Sequence, residues 1–174
     1  NYVKNVLVKF GFNPDNIHVI HNGIEIKDLE PKDMNFVFCT AKNPAQIKGA
    51  RFFAEVASRL TYKFMLSGTT SYSGVTNLGF LPEDKLFNMY KNCSIYVFPS
   101  IWEEPAGLTH LEAMQFGKPV VAFDAGGVKE YVKNCIVPLR DIDAMAAKVK
   151  ELMEDENLRK KLGEENRENV LNNF

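Results

Sequence analysis

Three cysteines in 174 residues, Cys39, Cys93 and Cys135, are too few and too scattered to build a disulfide frame, and no CxxC spacing offers a zinc site. They read as buried thiols in a reducing compartment. Histidine is as scarce, and its three copies, His18, His21 and His110, do not cluster with the cysteines. No apolar run reaches the roughly 18 residues that a membrane-spanning helix requires, and no signal peptide is recognisable. Neither sign of charge is in excess: the formal net charge is −1, which argues against a broad nucleic-acid surface. These absences leave the expectation of a soluble, cytoplasmic chain about one domain long, whose 45% hydrophobic content suffices for one packed core.

Apolar runs and helical periodicities alternate along that chain. Short β-favouring runs stand at residues 17–21, 35–40, 62–66, 77–81, 95–98, 120–123 and 136–137. Helical spacing marks residues 2–10, 50–60, 83–93, 108–116, 128–132, 142–153 and 158–170. Strands alternating with helices predict an α/β fold, a Rossmann-like parallel sheet sandwiched by helices, with its ligand at the carboxyl ends of the strands. Glu104, Lys42, Gly68 and Phe80 all fall just beyond predicted strand ends.

The richest stretch is residues 99–119, PSIWEEPAGLTHLEAMQFGKP. A buried strand, a glycine turn at Gly107 and a helix stopped by Gly117 place free backbone N–H groups at the top of the sheet, an arrangement that suits a phosphate. Glu104 and Glu112 stand eight positions apart around that turn. A carboxylate one turn into the helix, Glu112, can accept hydrogen bonds from a ribose, so the segment reads as a nucleotide-diphosphate site. The bland alternative for Glu112 is a solvated helix position. Of the neighbours Glu103 and Glu104, the spacing to Glu112 favours Glu104. Lys48 before Gly49 opens a helix where a cation is unfavourable without an anion, which favours a ligand role over a surface one. His110 is expected to be a surface or packed residue, His18 and His21 strand-end residues, and Trp102 a packing residue, with a lid against the lobe interface as its alternative. Gly126-Gly127 is expected to be a backbone turn first and a ligand contact second, and residues 151–168 a solvated helix face.

These motifs also carry a resemblance. Glu104-Pro-Ala-Gly-Leu-Thr-His-Leu-Glu112-Ala-Met, Gly117-Lys-Pro-Val-Val and Gly126-Gly127-Val-Lys-Glu130 resemble the carboxy-terminal half of a GT-B glycosyltransferase, in the retaining group called glycosyltransferase family 4 (group 1). Val19-Ile-His-Asn22-Gly23-Ile, Lys42, Lys48-Gly49 and Leu78-Gly79-Phe80-Leu81 match in the same order. The resemblance implies that residues 1–174 form the nucleotide-sugar donor-binding lobe of a two-lobed enzyme, with the amino-terminal acceptor lobe absent. It implies that Glu112 binds ribose and that Glu104 lies by the donor sugar. Backbone N–H groups of Ala106, Gly107, Leu108 and Thr109 would meet the sugar and diphosphate, Lys42 and Lys48 would neutralise the diphosphate, and Phe80 and Leu81 would lie beside the base. The first basic position is usually Arg in the family; here Lys42 acts as a point charge, or Arg51 or Lys48 carries its load. Two connections, residues 69–76 and 134–135, are shorter than the family pattern, which expects a helix in the first and a glycine loop in the second.

Two ammonium groups and a helix terminus can stabilise a departing diphosphate without a metal ion, so no cofactor and no metal are expected. The leading expectation is transfer of a hexose from a nucleotide-diphosphate sugar to a saccharide or lipid-linked acceptor held by the absent lobe, which could also bring the whole protein to a membrane surface. The alternatives are a nucleotide-sugar epimerase of the same two-lobed fold and a non-catalytic nucleotide-sugar-binding module.

Overall fold

The structure is a computed structural model and describes residues 1–41 and 46–174. Its centre is a six-stranded, fully parallel sheet made of β1 (Phe36–Ala41), β2 (Lys63–Gly68), β3 (Thr76–Asn77), β4 (Ile95–Phe98), β5 (Val120–Phe123) and β6 (Ile136–Val137). The strand order is β3-β2-β1-β4-β5-β6. The first three strands wind one way from the centre and the last three the other. The winding therefore reverses between β1 and β4, the position where open α/β sheets leave a crevice.

Sequence alternation decides which side chain goes where. Val37, Cys39, Phe64, Leu66, Ile95, Val97, Val121 and Phe123 point to one face, packed under α2 (Ala50–Ala57) and α6 (Ile142–Glu154). Phe36, Phe38, Tyr96, Phe98, Val120 and Ala122 point to the other, under α3 (Glu83–Asn92), α4 (Thr109–Met114), α5 (Val128–Tyr131) and the end of α7 (Glu156–Asn173). Both residue sets of each central strand are buried, which is why these strands read as continuous apolar runs. All three cysteines are buried free thiols, as expected.

Several expectations need correction. Residues 17–21 form no strand: Ile20 is 89% exposed, and the segment is pinned instead by Lys4 Nζ on the Ile17 carbonyl at 3.1 Å and by His21 edge-on to Tyr131 and Phe174. His18 and His21 are accordingly not strand-end residues. The strand expected over 77–81 shortens to Thr76–Asn77, since Gly79 turns the chain away with φ 67°. No helix fills residues 69–75. β3 pairs Thr76 with Met65, so the chain has to retreat only three residues along β2, about 10 Å at strand spacing, and seven residues span that without a helix. The last helix is not simply a solvated face. Arg159 is buried and binds Asp33 (Nη2–Oδ2 2.7 Å), and Asn166 Nδ2 donates to the Lys118 carbonyl at 2.9 Å. The amino-terminal helix α1 (Tyr2–Lys9) buries none of its residues and is tied down by Asn1 Nδ2, which donates to Glu130 at 2.7 Å.

Candidate functional site

The loops that follow β1, β4 and β5 are laced together by backbone contacts too close for any side chain. Gly49 adopts φ 79° and opens α2; a Cβ there would sit 1.9 Å from the Pro99 carbonyl oxygen. Beside it the Ile47 carbonyl accepts from Ile101 N at 2.9 Å and from Ser100 Oγ at 3.2 Å. On the other side Gly127 N donates to the Glu104 carbonyl at 2.8 Å, and a Cβ on Gly126 would lie 2.5 Å from the Glu103 backbone. Gly126-Gly127 is thus a backbone turn, as expected, and its role is to hold Glu104.

This lacing brings Lys48 and Glu104 into an ion pair, with side chains 32% and 16% exposed. Glu103 goes elsewhere: its carboxylate accepts from Tyr2 Oη at 2.7 Å in an exposed position, and that bond raises the Tyr2 pKa. The two neighbours turn apart, Glu104 to Lys48 and Glu103 to Tyr2. Lys42 lies outside the described residues.

Glu112 stands half-buried on α4, its amide donating to the Leu108 carbonyl at 2.9 Å. It lines a hollow of about 480 Å³ with Leu108, Phe80, Leu81, Glu83 and Lys27. Neither Lys48 nor Glu104 lines this hollow, so the candidate residues form two adjoining groups. Ala106 faces a different hollow, beside α1 and residues 17–22. Gly68 packs against the Ala41 carbonyl, where a Cβ would lie at 2.9 Å; next to it Ser67 Oγ donates to the Gly79 carbonyl at 3.1 Å, fixing the loop that carries Phe80. Thr109 opens α4, which runs only from Thr109 to Met114 and not over the whole of residues 108–116. So short a helix has a weak macrodipole, which shifts the electrostatic burden toward Lys48.

Sequence reasoning missed the floor of the site. Tyr90 and Tyr96 are fully buried beneath it, and Tyr96 Oη lies 2.7 Å from Thr40 Oγ1 at the end of β1. Burial, then the neighbouring Tyr96, then the Glu112 carboxylate push the Tyr90 hydroxyl well up; burial dominates for Tyr96 as well. Both therefore stay protonated near Glu112. His110 is buried, as one of the two expected readings had it, edge-on to Phe98 and Tyr131 at 5.1 and 5.2 Å. It supports Gly107 from below: a Cβ on Gly107 would lie 3.0 Å from its ring. Burial lowers its pKa to about 3, and neither ring nitrogen has a hydrogen-bond partner among the described residues. Trp102 is 50% exposed and is no packing residue.

The sequence holds an Asp-x-Asp pair, Asp141-Ile142-Asp143, and both carboxylates are structurally engaged: Asp141 caps α6 by accepting from Ala144 N at 2.9 Å, and Asp143 binds Arg59 at 2.8 Å. A further hollow of about 360 Å³ reaches the amino ends of the strands and shares Lys27 with the first. Its buried cations are already engaged, Arg159 by Asp33 and Lys118 by the Lys32 carbonyl, so it reads as a structural network.

Comparison with known proteins adds the family. The model described as glycosyl transferases group 1 matches residues 69–169. An MMP alpha-(1->4)-mannosyltransferase of Mycolicibacterium hassiacum is 24% identical over 198 residues, covering 98% of this chain and 48% of that protein. An uncharacterized glycosyltransferase of Methanocaldococcus jannaschii is 43% identical over 60 residues, 34% of this chain and 15% of its own length. The chain thus spans less than half of each of these relatives. Among solved structures, a glycosyltransferase from Rickettsia africae superposes with a TM-score of 0.87 at 22% identity, over 99% of this chain and 57% of that one. The HepE protein of Anabaena, solved in complex with UDP, gives 0.87 at 20% identity, over 98% and 57%. At such identities the likeness is one of fold, the α/β fold of GT-B glycosyltransferases.

Proposed function

The chain belongs to the glycosyl transferases group 1 family, and from that premise we propose that it is the carboxy-terminal, donor-binding half of a retaining enzyme. That enzyme moves a hexose from a nucleotide-diphosphate sugar to a saccharide or lipid-linked acceptor. The observation that carries this reading is the placement of two carboxylates at the point where the sheet reverses its winding. Glu104 is joined to Lys48 beyond β4 and β1, and Glu112 opens a neighbouring hollow.

Glu112 accepts the ribose hydroxyls, above a floor of protonated phenols that adds no second negative charge beneath it. Lys48 carries the diphosphate. When the sugar–phosphate bond breaks, its electron pair passes to the diphosphate, and a fixed ammonium stabilises that charge without reorganisation. The incoming anion draws Lys48 from Glu104, and the released carboxylate turns to the hydroxyls of the donor sugar, a charge-assisted bond. Gly107 and Leu108 supply backbone N–H groups to the same oxygens. Lys42, one residue past β1, is a second cation for the diphosphate. With two ammonium groups serving the diphosphate the half-site needs no metal.

The relatives support the choice of substrate class: one is named a mannosyltransferase, and the Anabaena protein was solved with UDP. The acceptor site belongs to an amino-terminal domain outside this chain, which also provides any contact with a membrane surface. This half alone binds donor and does not turn it over. Replacing Glu112 with Gln tests the reading. Affinity for the nucleoside diphosphate should fall by about 1–3 kcal/mol, the cost of losing a partly buried charged hydrogen bond. A solvated glutamate would leave it unchanged.

A further inference from the structure

Beside Glu112, its hollow carries one cation and two carboxylates that the diphosphate does not require. Lys27 Nζ lies 3.6 Å from Glu83 Oε1 and 2.7 Å from Glu25 Oε2, and all three residues line the hollow. Lys27 is held in place. Its backbone N donates to Gln115 Oε1 at 2.8 Å, its ammonium lies 5.5 Å from the centre of the Phe87 ring, and its side chain is only 27% exposed. Glu83 is the first residue of α3, with its side chain 73% exposed and open to a ligand.

Resting on the donor-site reading above, we propose that Lys27 and Glu83 read the base of the nucleotide and select guanine. A ribose on Glu112 has its diphosphate on one side and its base on the other. Lys48 and Glu104 do not line the hollow, so a diphosphate held by Lys48 sends the base into it. At about 480 Å³ the hollow is in the range of ligand sites and admits a purine. Phe80, 71% exposed on its rim, offers an aromatic face for stacking.

The polarity of the wall then chooses among bases. Guanine carries the acceptor O6 beside two donors, N1–H and the 2-amino group. A lysine next to a carboxylate is the complement of that edge, the ammonium on O6 and the carboxylate taking both N–H groups. Uracil has one N–H between two carbonyl oxygens, so the second carboxylate oxygen would face an acceptor. Adenine and cytosine present an amino group beside a bare ring nitrogen, which leaves one carboxylate oxygen opposed to a lone pair. Only guanine satisfies both oxygens of Glu83.

Calorimetric titration of the chain with GDP, UDP, ADP and inosine diphosphate tests this. GDP should bind about tenfold or more tighter than UDP or ADP. Inosine diphosphate, which lacks the 2-amino group, should bind several-fold more weakly than GDP. Glu83→Gln should remove most of the preference for GDP over UDP, with circular dichroism verifying the fold; the inosine comparison needs no variant at all. Saturable binding in which UDP or ADP equals or exceeds GDP would overturn the guanine assignment and leave the donor site standing. Equal affinity for GDP and inosine diphosphate would overturn the carboxylate contact that the assignment requires. Failure of a folded chain to bind any of the four would overturn the donor-site reading and this inference with it.

Discussion

Lys48 is committed to Glu104 in the structure, so a diphosphate has to outbid a half-buried carboxylate for the same ammonium. His110, behind the same turn, is constrained by burial alone. It is a histidine held neutral, its pKa lowered from 6.5 to about 3. Below pH 6.5 the unfolded chain binds a proton at this position that the folded chain refuses, so stability is full above 6.5 and falls with acidification until pH reaches about 3. The slope this group contributes is at most about 1.4 kcal/mol per pH unit. His110→Leu should therefore flatten the acid limb; urea midpoints at neutral pH and near pH 4.5 should diverge less in the variant than in the parent, and equal divergence would refute the assignment. At this scale the sequence was only partly readable. Glu104 and Glu112 stand out as candidates because they sit on one short turn and helix. Lys27, Glu83, Thr40 and Tyr96 could not, because they meet the site through contacts such as Lys27–Gln115 that span 88 positions, and no local pattern reports those.

Between the elements, glycine decides how closely the loops at the carboxyl ends of the strands approach one another. Gly49 combines a left-handed backbone with a contact to Pro99 that leaves no room for a methyl group. Gly49→Ala should cost stability by roughly 2 kcal/mol or more, since strain at φ 79° adds to displacement of the Pro99 loop. It should also weaken nucleotide binding beyond what the lost stability explains, because the displaced loop carries Glu104. Thermal unfolding and titration on the same sample check both. An unchanged melting temperature would contradict the geometry. Most elements were legible because their periods are plain: β1, β2, β4 and β5 as apolar runs, α3 and α6 as 3.6-residue repeats. Residues 17–21 failed for a tertiary reason. Val19 and Ile20 favour a strand, but a strand needs a partner, and the sheet ends on β3 and β6, two residues each. The solvated face expected at the chain's end was half right, because Arg159 and Asn166 look like surface residues until their partners Asp33 and the Lys118 carbonyl are in place.

For the molecule as a whole, apolar side chains cover both faces of one parallel sheet, and the candidate site sits at one edge of that layer, where β1 and β4 part company. The fold could be anticipated from the alternation of strands and helices, and the family from the order of its motifs. The base could not, since its wall is assembled from residues 23–27, 80–87 and 108–112, brought together only by folding. The claim on which the rest depends is that this half carries a nucleotide-diphosphate site that works without metal. Calorimetric titration of the chain with nucleoside diphosphates in the presence of a chelator, alongside a Lys48→Met variant, tests it most directly. The account predicts saturable one-site binding that the chelator leaves unchanged and the variant weakens by about tenfold or more. Absence of binding by the folded chain, or binding that vanishes with the chelator, would contradict it.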